Sequence, residues 1–374
     1  MKYYLIAGEA SGDLHGSNLI KEVHKLDATA NIRCWGGNLM QASGAALVKH
    51  YKELAFMGFA EVVMNLRTIL KNISFCKEDI QQFKPDVIVF IDYPGFNLRI
   101  SEWAKKEGYK TVFYISPQVW AWKENRVKKM KQTIDHMMVI LPFEKEWYKN
   151  KWDWDVEYVG HPLVEVINSY QTSSVCNEEI TNHQTETKII ALLPGSRKQE
   201  ILKKLPIMLE VSKLFLDYQF IVAKAPGQED TFYELLLKGY NNVSAVSGKT
   251  YDLLMNATAA LVTSGTATLE TALFGVPEIV CYKGSRISYE IAKRLITIKY
   301  ISLVNLIMDK PVVKELIQHQ LTVSNITAEL QVLLTDEARK KQLQEDYFNL
   351  KQKLDAGGNA SLKAAASVYR IAIS

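Results

Sequence analysis

Asp92 stands directly after the apolar run Val87–Ile91 and directly before Tyr93-Pro94-Gly95-Phe96-Asn97. A carboxylate held at a strand's carboxyl end by a Pro-Gly turn is placed to act as a general base toward a ligand hydroxyl. An Asx turn is the plainer use of an Asp ahead of a Pro, so the residue type alone leaves both roles open. A second loop, Gly8-Glu9-Ala10-Ser11-Gly12-Asp13-Leu14-His15-Gly16, follows Tyr3–Ala7. Its small residues permit a sharp turn into a helix whose free N–H groups face a ligand. It lacks the G-x-G-x-x-G spacing of dinucleotide sites, and Glu9 and Asp13 would repel a pyrophosphate. A hydroxyl-bearing ligand met by Glu9, Ser11 and Asp13 is one reading; a tight turn with Asp13 as helix cap is the other. His15 alone reads as a packed or capping helix residue.

The C-terminal half carries a different chemistry. Ile189–Leu193 runs into Pro194-Gly195-Ser196-Arg197, and Ala259–Thr263 runs into Ser264-Gly265-Thr266-Ala267-Thr268-Leu269-Glu270. A strand, a small-residue turn and a helix N-terminus form an anion pocket, to which Arg197 adds a bidentate contact. Ser264 to Thr266 offer N–H and hydroxyl donors. Glu270, one turn into its helix, can accept from vicinal ribose hydroxyls. Two such loops in one domain argue for a nucleoside diphosphate.

The elements that must position these residues follow from short β-branched runs alternating with amphipathic stretches. Strands are expected at Tyr3–Ala7, Val87–Ile91, Thr111–Ile115, Met137–Leu141 and Val156–Val159. A second set is expected at Ile189–Leu193, Phe220–Ala223, Val243–Val246, Ala259–Thr263 and Glu278–Tyr282. Strands separated by helical stretches make βαβ units and parallel sheets, here two doubly wound domains. The polar, aperiodic stretch Gln171–Thr187 predicts a linker region. One domain is expected over 1–165, another over 166–350, and a C-terminal helix over 351–374, with Gly357-Gly358 breaking the helical tail. Ligands in such sheets sit beyond the carboxyl ends of the strands.

Composition narrows the class. The chain has 374 residues, 48% of them hydrophobic, and a formal net charge of +4. No apolar run approaches the roughly 18–20 residues of a membrane span. The N-terminus turns acidic at Glu9 and does not read as a signal peptide. Cys34, Cys76, Cys176 and Cys281 are scattered, as expected of free thiols in a reducing cytoplasm. A nearly balanced charge and no nucleic-acid signature argue against DNA or RNA as partner. Asp153-Trp154-Asp155 has a DxD form but reads as a polar loop, so no metal site is expected. Trp120 and Trp122 are core by default, with a sugar- or acyl-stacking wall as the alternative.

Two local patches stand out. Phe56, Phe59, Val63, Leu66, Leu70 and Ile73 form one helical stripe, widened by Met57. Such a stripe is usually core, and a stripe this wide is also how a protein presents an apolar surface to lipid. Lys123, Arg126, Lys128, Lys129 and Lys131 form a basic run. It reads as a solvated helix face, or as a contact with anionic headgroups at about 1 kcal/mol per cation.

Taken in order, several blocks resemble the lipid-A-disaccharide synthase family. They are Ala7–Asp13, Met57–Val62, Ser116–Trp122, Leu141–Glu144, Val159–Pro162, Leu193–Arg197, Ser264–Glu270 and Tyr300–Leu306. Each is weak alone, and together they are highly specific from the N-terminus to about Leu316. The resemblance implies a GT-B fold, two Rossmann-like domains with the site in the cleft between them. It implies an inverting, metal-independent hexosyltransferase without cofactor, acting in lipid A biosynthesis. The reaction would condense UDP-2,3-diacylglucosamine with 2,3-diacylglucosamine 1-phosphate (lipid X) into lipid A disaccharide 1-phosphate and UDP. By carry-over, Asp92 is the base for the acceptor 6-hydroxyl, and Glu9, Ser11 and Asp13 line the acceptor side. Gly195, Ser196, Arg197, Ser264, Gly265, Thr266, Glu270 and Asn305 form the UDP side. Phe56, Met57, Phe59, Val63 and Leu66 would touch the cytoplasmic face of the inner membrane, where the enzyme would sit peripherally. The tail would return to the N-terminal domain, in some members by exchange between subunits, which would make a homodimer. Two positions depart from the family: Gly95, where many members have a second Asp, and Val304, where Pro is common. Other GT-B proteins, such as UDP-N-acetylglucosamine epimerases or the peptidoglycan N-acetylglucosaminyltransferase, share the phosphate loops, but the Ala7–Asp13 and Ser116–Trp122 blocks argue against them. A non-catalytic membrane module built on the two patches is the reading from another class.

Overall fold

The computed structural model describes residues 1–54, 66–175, 188–285, 289 and 298–374. Its two compact units are Met1–Pro162 with Leu354–Ser374, and Leu163–Lys353.

The first unit is built on seven parallel strands: β1 (Lys2–Ala7), β2 (Asn31–Gly36), β3 (Ala46–His50), β4 (Val87–Ile91), β5 (Thr111–Tyr114), β6 (His136–Val139) and β7 (Glu157–Tyr158). Their order is β3-β2-β1-β4-β5-β6-β7. β4 and β5 are buried along their whole length, as central strands covered by helices on both faces must be. Alternate side chains divide the core in two. Tyr4, Ile6, Phe90 and Phe113 pack on one face, and Leu5, Val89, Ile91 and Val112 on the other.

The second unit has six parallel strands: β8 (Lys188–Leu193), β9 (Tyr218–Lys224), β10 (Val243–Ser247), β11 (Ala257–Thr263), β12 (Glu278–Tyr282) and β13 (Lys314–Ile317). Their order is β10-β9-β8-β11-β12-β13. In both sheets the winding reverses beside the first strand, between β1 and β4 and between β8 and β11. That reversal opens a crevice at the carboxyl ends of those two strands.

The sequence reading misses β2, β3 and β13. Each is interrupted by charge (Arg33, Lys49, Lys314 with Glu315), and β3 and β13 are sheet edges, where one side needs no apolar cover. The expected linker is also corrected at its start. The helix Pro162–Val175 continues through Gln171, because Asn168, Ser169, Thr172 and Ser173 extend a pattern whose buried face is already set by Leu163, Val164 and Ile167. Residues 176–187 lie outside the described ones.

The tail forms the helices Val323–Thr335, Glu337–Asp355 and Ala360–Ile373. The last packs on the helix Ala10–Leu26 of the first unit, placing Ala364, Ala365 and Val368 in its core. Glycines make this closure possible. A Cβ on Gly357 would lie 2.2 Å from the Gly160 Cα, so neither position has room for a side chain.

Candidate active site

Asp92 and Tyr93 both adopt left-handed backbone, with φ of 46° and 49°. For non-glycine residues this costs about 1–3 kcal/mol each, strain held at the end of β4 by its surroundings. The Asp92 N–H donates to the Tyr114 carbonyl at 3.0 Å. Asn97, fully buried, donates from Nδ2 to the carbonyls of Asp92 at 2.7 Å and Ile6 at 3.2 Å, tying the ends of β4 and β1 together. Pro94 starts the helix Pro94–Lys106 immediately afterward. The Asp92 carboxyl is half-buried, and burial, then the nearby Glu9 charge, push its pKa up to about 6 against an opposing Tyr93 N–H. It is therefore ionised at neutral pH yet basic enough to take a proton from a hydroxyl.

That shift fixes a sign. A base must be deprotonated, so kcat/KM is expected to fall as pH drops through about 6. Removing the Glu9 charge with Glu9→Gln should move this acid limb to lower pH. A pH–rate profile reads both effects, and an unmoved limb in Glu9→Gln would remove that coupling.

Glu9 and Ser11 are exposed at the start of the helix Ala10–Leu26. Asp13 is buried, and its oxygens accept from the N–H groups of Gly37 at 2.8 Å, Leu39 at 3.2 Å and Met40 at 3.0 Å. It caps the neighbouring helix Asn38–Ala42 rather than its own. Asp13→Ala would strand these donors, at about 1–3 kcal/mol for each one left unsatisfied. A fall in Tm with retained UDP binding is the expected result in thermal unfolding, and an unchanged Tm would show that water replaces the clamp.

Other candidates divide. Trp120 is buried and donates to Glu144 Oε1 at 3.0 Å, whereas Trp122 is 48% exposed, with Lys123 Nζ 4.2 Å from its ring. Burial raises the Glu144 carboxyl to about 7, opposed by the Leu141 N–H and the Trp120 indole. His15 is packed, and burial lowers it to about 4. Asp153 and Asp155 share Lys149 at 3.2 and 3.0 Å. Phe56, Met57, Phe59 and Val63 lie outside the described residues, and Leu66 opens the helix Leu66–Phe83. The stripe splits on that helix: Ile73 joins the core while Leu70 is exposed.

In the second unit a cavity of about 450 Å³ opens at the ends of β8 and β11. That volume falls within the range of small-molecule sites. Gly195, Ser196, Arg197, Ser264, Gly265, Thr266 and Glu270 all line it. Gly195 has φ +113°, and a Cβ there would meet Glu200 Oε2 at 2.9 Å, so the turn requires glycine. Arg197 stands at the N-cap of the helix Lys198–Ser212, 64% exposed at the cavity wall. Glu270 Oε1 accepts from the Tyr251 hydroxyl at 3.0 Å, and burial raises its pKa against that hydrogen bond.

Asn305 does not line the cavity. Its amide accepts from the Val313 N–H at 2.9 Å and donates to Glu315 Oε1 at 3.0 Å. Glu315 in turn accepts from the N–H of Ser302 at 2.9 Å, and the Ile301 carbonyl accepts from Ser264 Oγ at 2.9 Å. Asn305 thus reaches the cavity through three links, as a support for Ser264.

Sequence reasoning missed Lys204. Its ammonium is buried, donates to Thr263 Oγ1, and is lowered in pKa by burial despite Glu200 at 3.8 Å. Thr263 lines the cavity, so a buried cation stands directly behind its wall. The one signal was its position a full two turns into an amphipathic helix, among apolar neighbours Ile201, Leu205 and Met208.

Comparison with known proteins decides the family. Residues 3–368 match the family described as Lipid-A-disaccharide synthetase. The chain belongs to the lipid-A-disaccharide synthase family. A lipid-A-disaccharide synthase of Syntrophus aciditrophicus is 38% identical, over 98% of this chain and 97% of that protein. One from Coxiella burnetii is 35% identical over 99% of this chain and 98% of its own. Among solved structures, the Neisseria meningitidis UDP-GlcNAc 2-epimerase bound to UDP-GlcNAc aligns over the whole of both chains, with TM-score 0.68 and 13% identity. The calicheamicin glycosyltransferase CalG4 aligns with TM-score 0.64 and 15% identity over 99% of this chain and 98% of that one. At such identities the likeness shows the fold, which is GT-B. Most blocks shared with the lipid-A-disaccharide synthase family fall at strand ends, after β1, β5, β6, β7, β8 and β11. That is the ligand-binding edge of each sheet.

Proposed function

We propose that the protein moves 2,3-diacylglucosamine from its UDP derivative onto the 6-hydroxyl of 2,3-diacylglucosamine 1-phosphate. The observation that carries this reading is the family match along 3–368, with relatives of that activity's name aligned over nearly their full length. In the reaction, the acceptor O6 attacks the donor C1, and the bond from C1 to the UDP oxygen breaks with its electron pair leaving on UDP. The O6 proton passes to the Asp92 carboxylate. Attack opposite the leaving group inverts the anomeric centre and gives the β-1′,6 link.

Each unit has a matching part. Glu9, whose charge reaches Asp92, and Ser11 are exposed for the sugar hydroxyls, and Asn97 holds the strand end that carries Asp92. Arg197, with the N–H groups after Gly195 and Gly265, would meet the diphosphate, and charge developing on UDP would be balanced there. Glu270, oriented by Tyr251, accepts from the ribose hydroxyls. Two acylated substrates call for work at a membrane. Among the described residues no helix is long and apolar enough to cross one. We assign peripheral contact with the cytoplasmic face of the inner membrane to Phe56, Met57, Phe59, Val63 and Leu66.

UDP release measured with both acylated substrates, each alone, and unacylated UDP-N-acetylglucosamine tests the reading. Release should require both acylated partners. Turnover of unacylated UDP-N-acetylglucosamine alone, with no release from the acylated pair, would overturn it.

A further inference from the structure

A second cavity, of about 230 Å³, lies in the first unit between the helices Pro94–Lys106 and Val127–Thr133. It is too small for a whole lipid or nucleotide, whose sites run from about 300 Å³ upward, and is sized for a single group. Leu98 and Met130 give it an apolar floor, while Arg99, Arg126 and Lys129 line its walls without any carboxylate among the lining residues. Lys129 is already engaged by Glu102 at 2.5 Å. Arg99 and Arg126 enter no ion pair among the described residues, although Arg126 lies 5.9 Å from the Trp122 ring. Unopposed guanidinium groups converging on one cavity favour a doubly charged oxyanion, since their planar forks match phosphate geometry. Pro94 and Gly95 bring the N-terminal, positive end of a 13-residue helix to the same cavity. A Cβ on Gly95 would meet nothing within 4 Å, so glycine is not demanded by packing and its effect is to leave this entrance open and uncharged.

From these features we propose that the cavity between Arg99 and Arg126 is a phosphomonoester site that holds the 1-phosphate of the acceptor sugar. This rests on the transferase reading above. Gly95 is three residues from Asp92, so the two Cα atoms are at most about 11 Å apart. A hexopyranose carries its 6-hydroxymethyl group on C5 and its anomeric phosphate on C1, the two carbons that flank the ring oxygen, so both groups sit on one edge of the sugar. Phosphate bound at the cavity therefore holds the 6-hydroxyl close to the base. The site would select a phosphorylated acceptor and orient it.

The test compares wild type with the Arg99→Gln/Arg126→Gln double variant, which keeps the side-chain bulk and removes both charges. Calorimetric titration with glucosamine 1-phosphate and with glucosamine gives binding without turnover. The acceptor KM is measured with diacylglucosamine 1-phosphate and with diacylglucosamine, and sedimentation is measured on phosphatidylglycerol vesicles. The proposal expects wild type to bind glucosamine 1-phosphate better than glucosamine. It expects the variant to lose about tenfold or more of that affinity, with a matching rise in KM for the phosphorylated acceptor only and an unchanged donor KM. Equal losses for both sugars, or no loss, would overturn it. Reduced vesicle binding with unchanged sugar phosphate affinity would assign the cavity to a membrane phospholipid and overturn it as well. Should wild type bind glucosamine 1-phosphate through these arginines yet join no sugars, the site stands and the transferase reading fails.

Discussion

Asp92→Asn is expected to lower kcat about 10²–10⁴-fold, the usual range for loss of a positioned general base, while leaving UDP affinity unchanged. Asn keeps the size and the backbone conformation that the 46° φ demands, since it is among the residues that tolerate the left-handed region. What it removes is the ability to accept a proton. No other carboxylate stands in the same strand-end loop, Tyr93-Pro94-Gly95-Phe96-Asn97. Glu9 is close enough to raise the Asp92 pKa, but it stands in another loop, at the exposed start of the helix Ala10–Leu26. Single-turnover kinetics with calorimetric UDP binding reads both quantities. Wild-type turnover in Asp92→Asn would remove this residue as the base.

Arg197→Ala should act on the other substrate. Loss of a charge-assisted contact to phosphate corresponds to about 1.5–3 kcal/mol, so UDP affinity should weaken about 10–100-fold. The guanidinium is 64% exposed and pairs with Glu200 at 3.7 Å, an ion pair at the surface. The cost in the folded protein alone should therefore be small, and Tm should stay near wild type. Arg197→Lys restores the charge but not the planar fork, so it should recover only part of the affinity. UDP titration of both variants decides it. Unchanged affinity in Arg197→Ala would shift the diphosphate to the loop N–H groups and the buried Lys204 behind Thr263.

The strand-end loops were legible because each joins an unbroken apolar run to small residues, and a parallel sheet leaves its ligand edge at that junction. The six lining residues Gly195, Ser196, Arg197, Ser264, Gly265 and Thr266 come from two such junctions on adjacent strands, and Glu270 sits one turn beyond the second. What stayed hidden needs partners far apart in the chain. Asn97 reads only as the last residue of the strand-end loop, and the pairing of β1 with β4 turns it into the tie that holds Asp92. Asn305 matches a family block, yet its amide is spent on Val313 and Glu315, and its link to Ser264 depends on β13, an edge strand interrupted by charge. Asp13 invites a ligand role by its loop, but the turn after β2 brings three N–H groups to it. Burial of Lys204 has the same origin, a helix face set by its packing on the sheet.

The joining of two acylated sugars is tested most directly by the product itself. Wild-type protein incubated with UDP-2,3-diacylglucosamine and 2,3-diacylglucosamine 1-phosphate should yield one new species, read by mass spectrometry and NMR. Its mass should equal the two substrates less UDP, and its new anomeric proton should report a β-1′,6 link. A UDP-sugar of unchanged mass with altered ring stereochemistry, or UDP release without a disaccharide, would contradict the account.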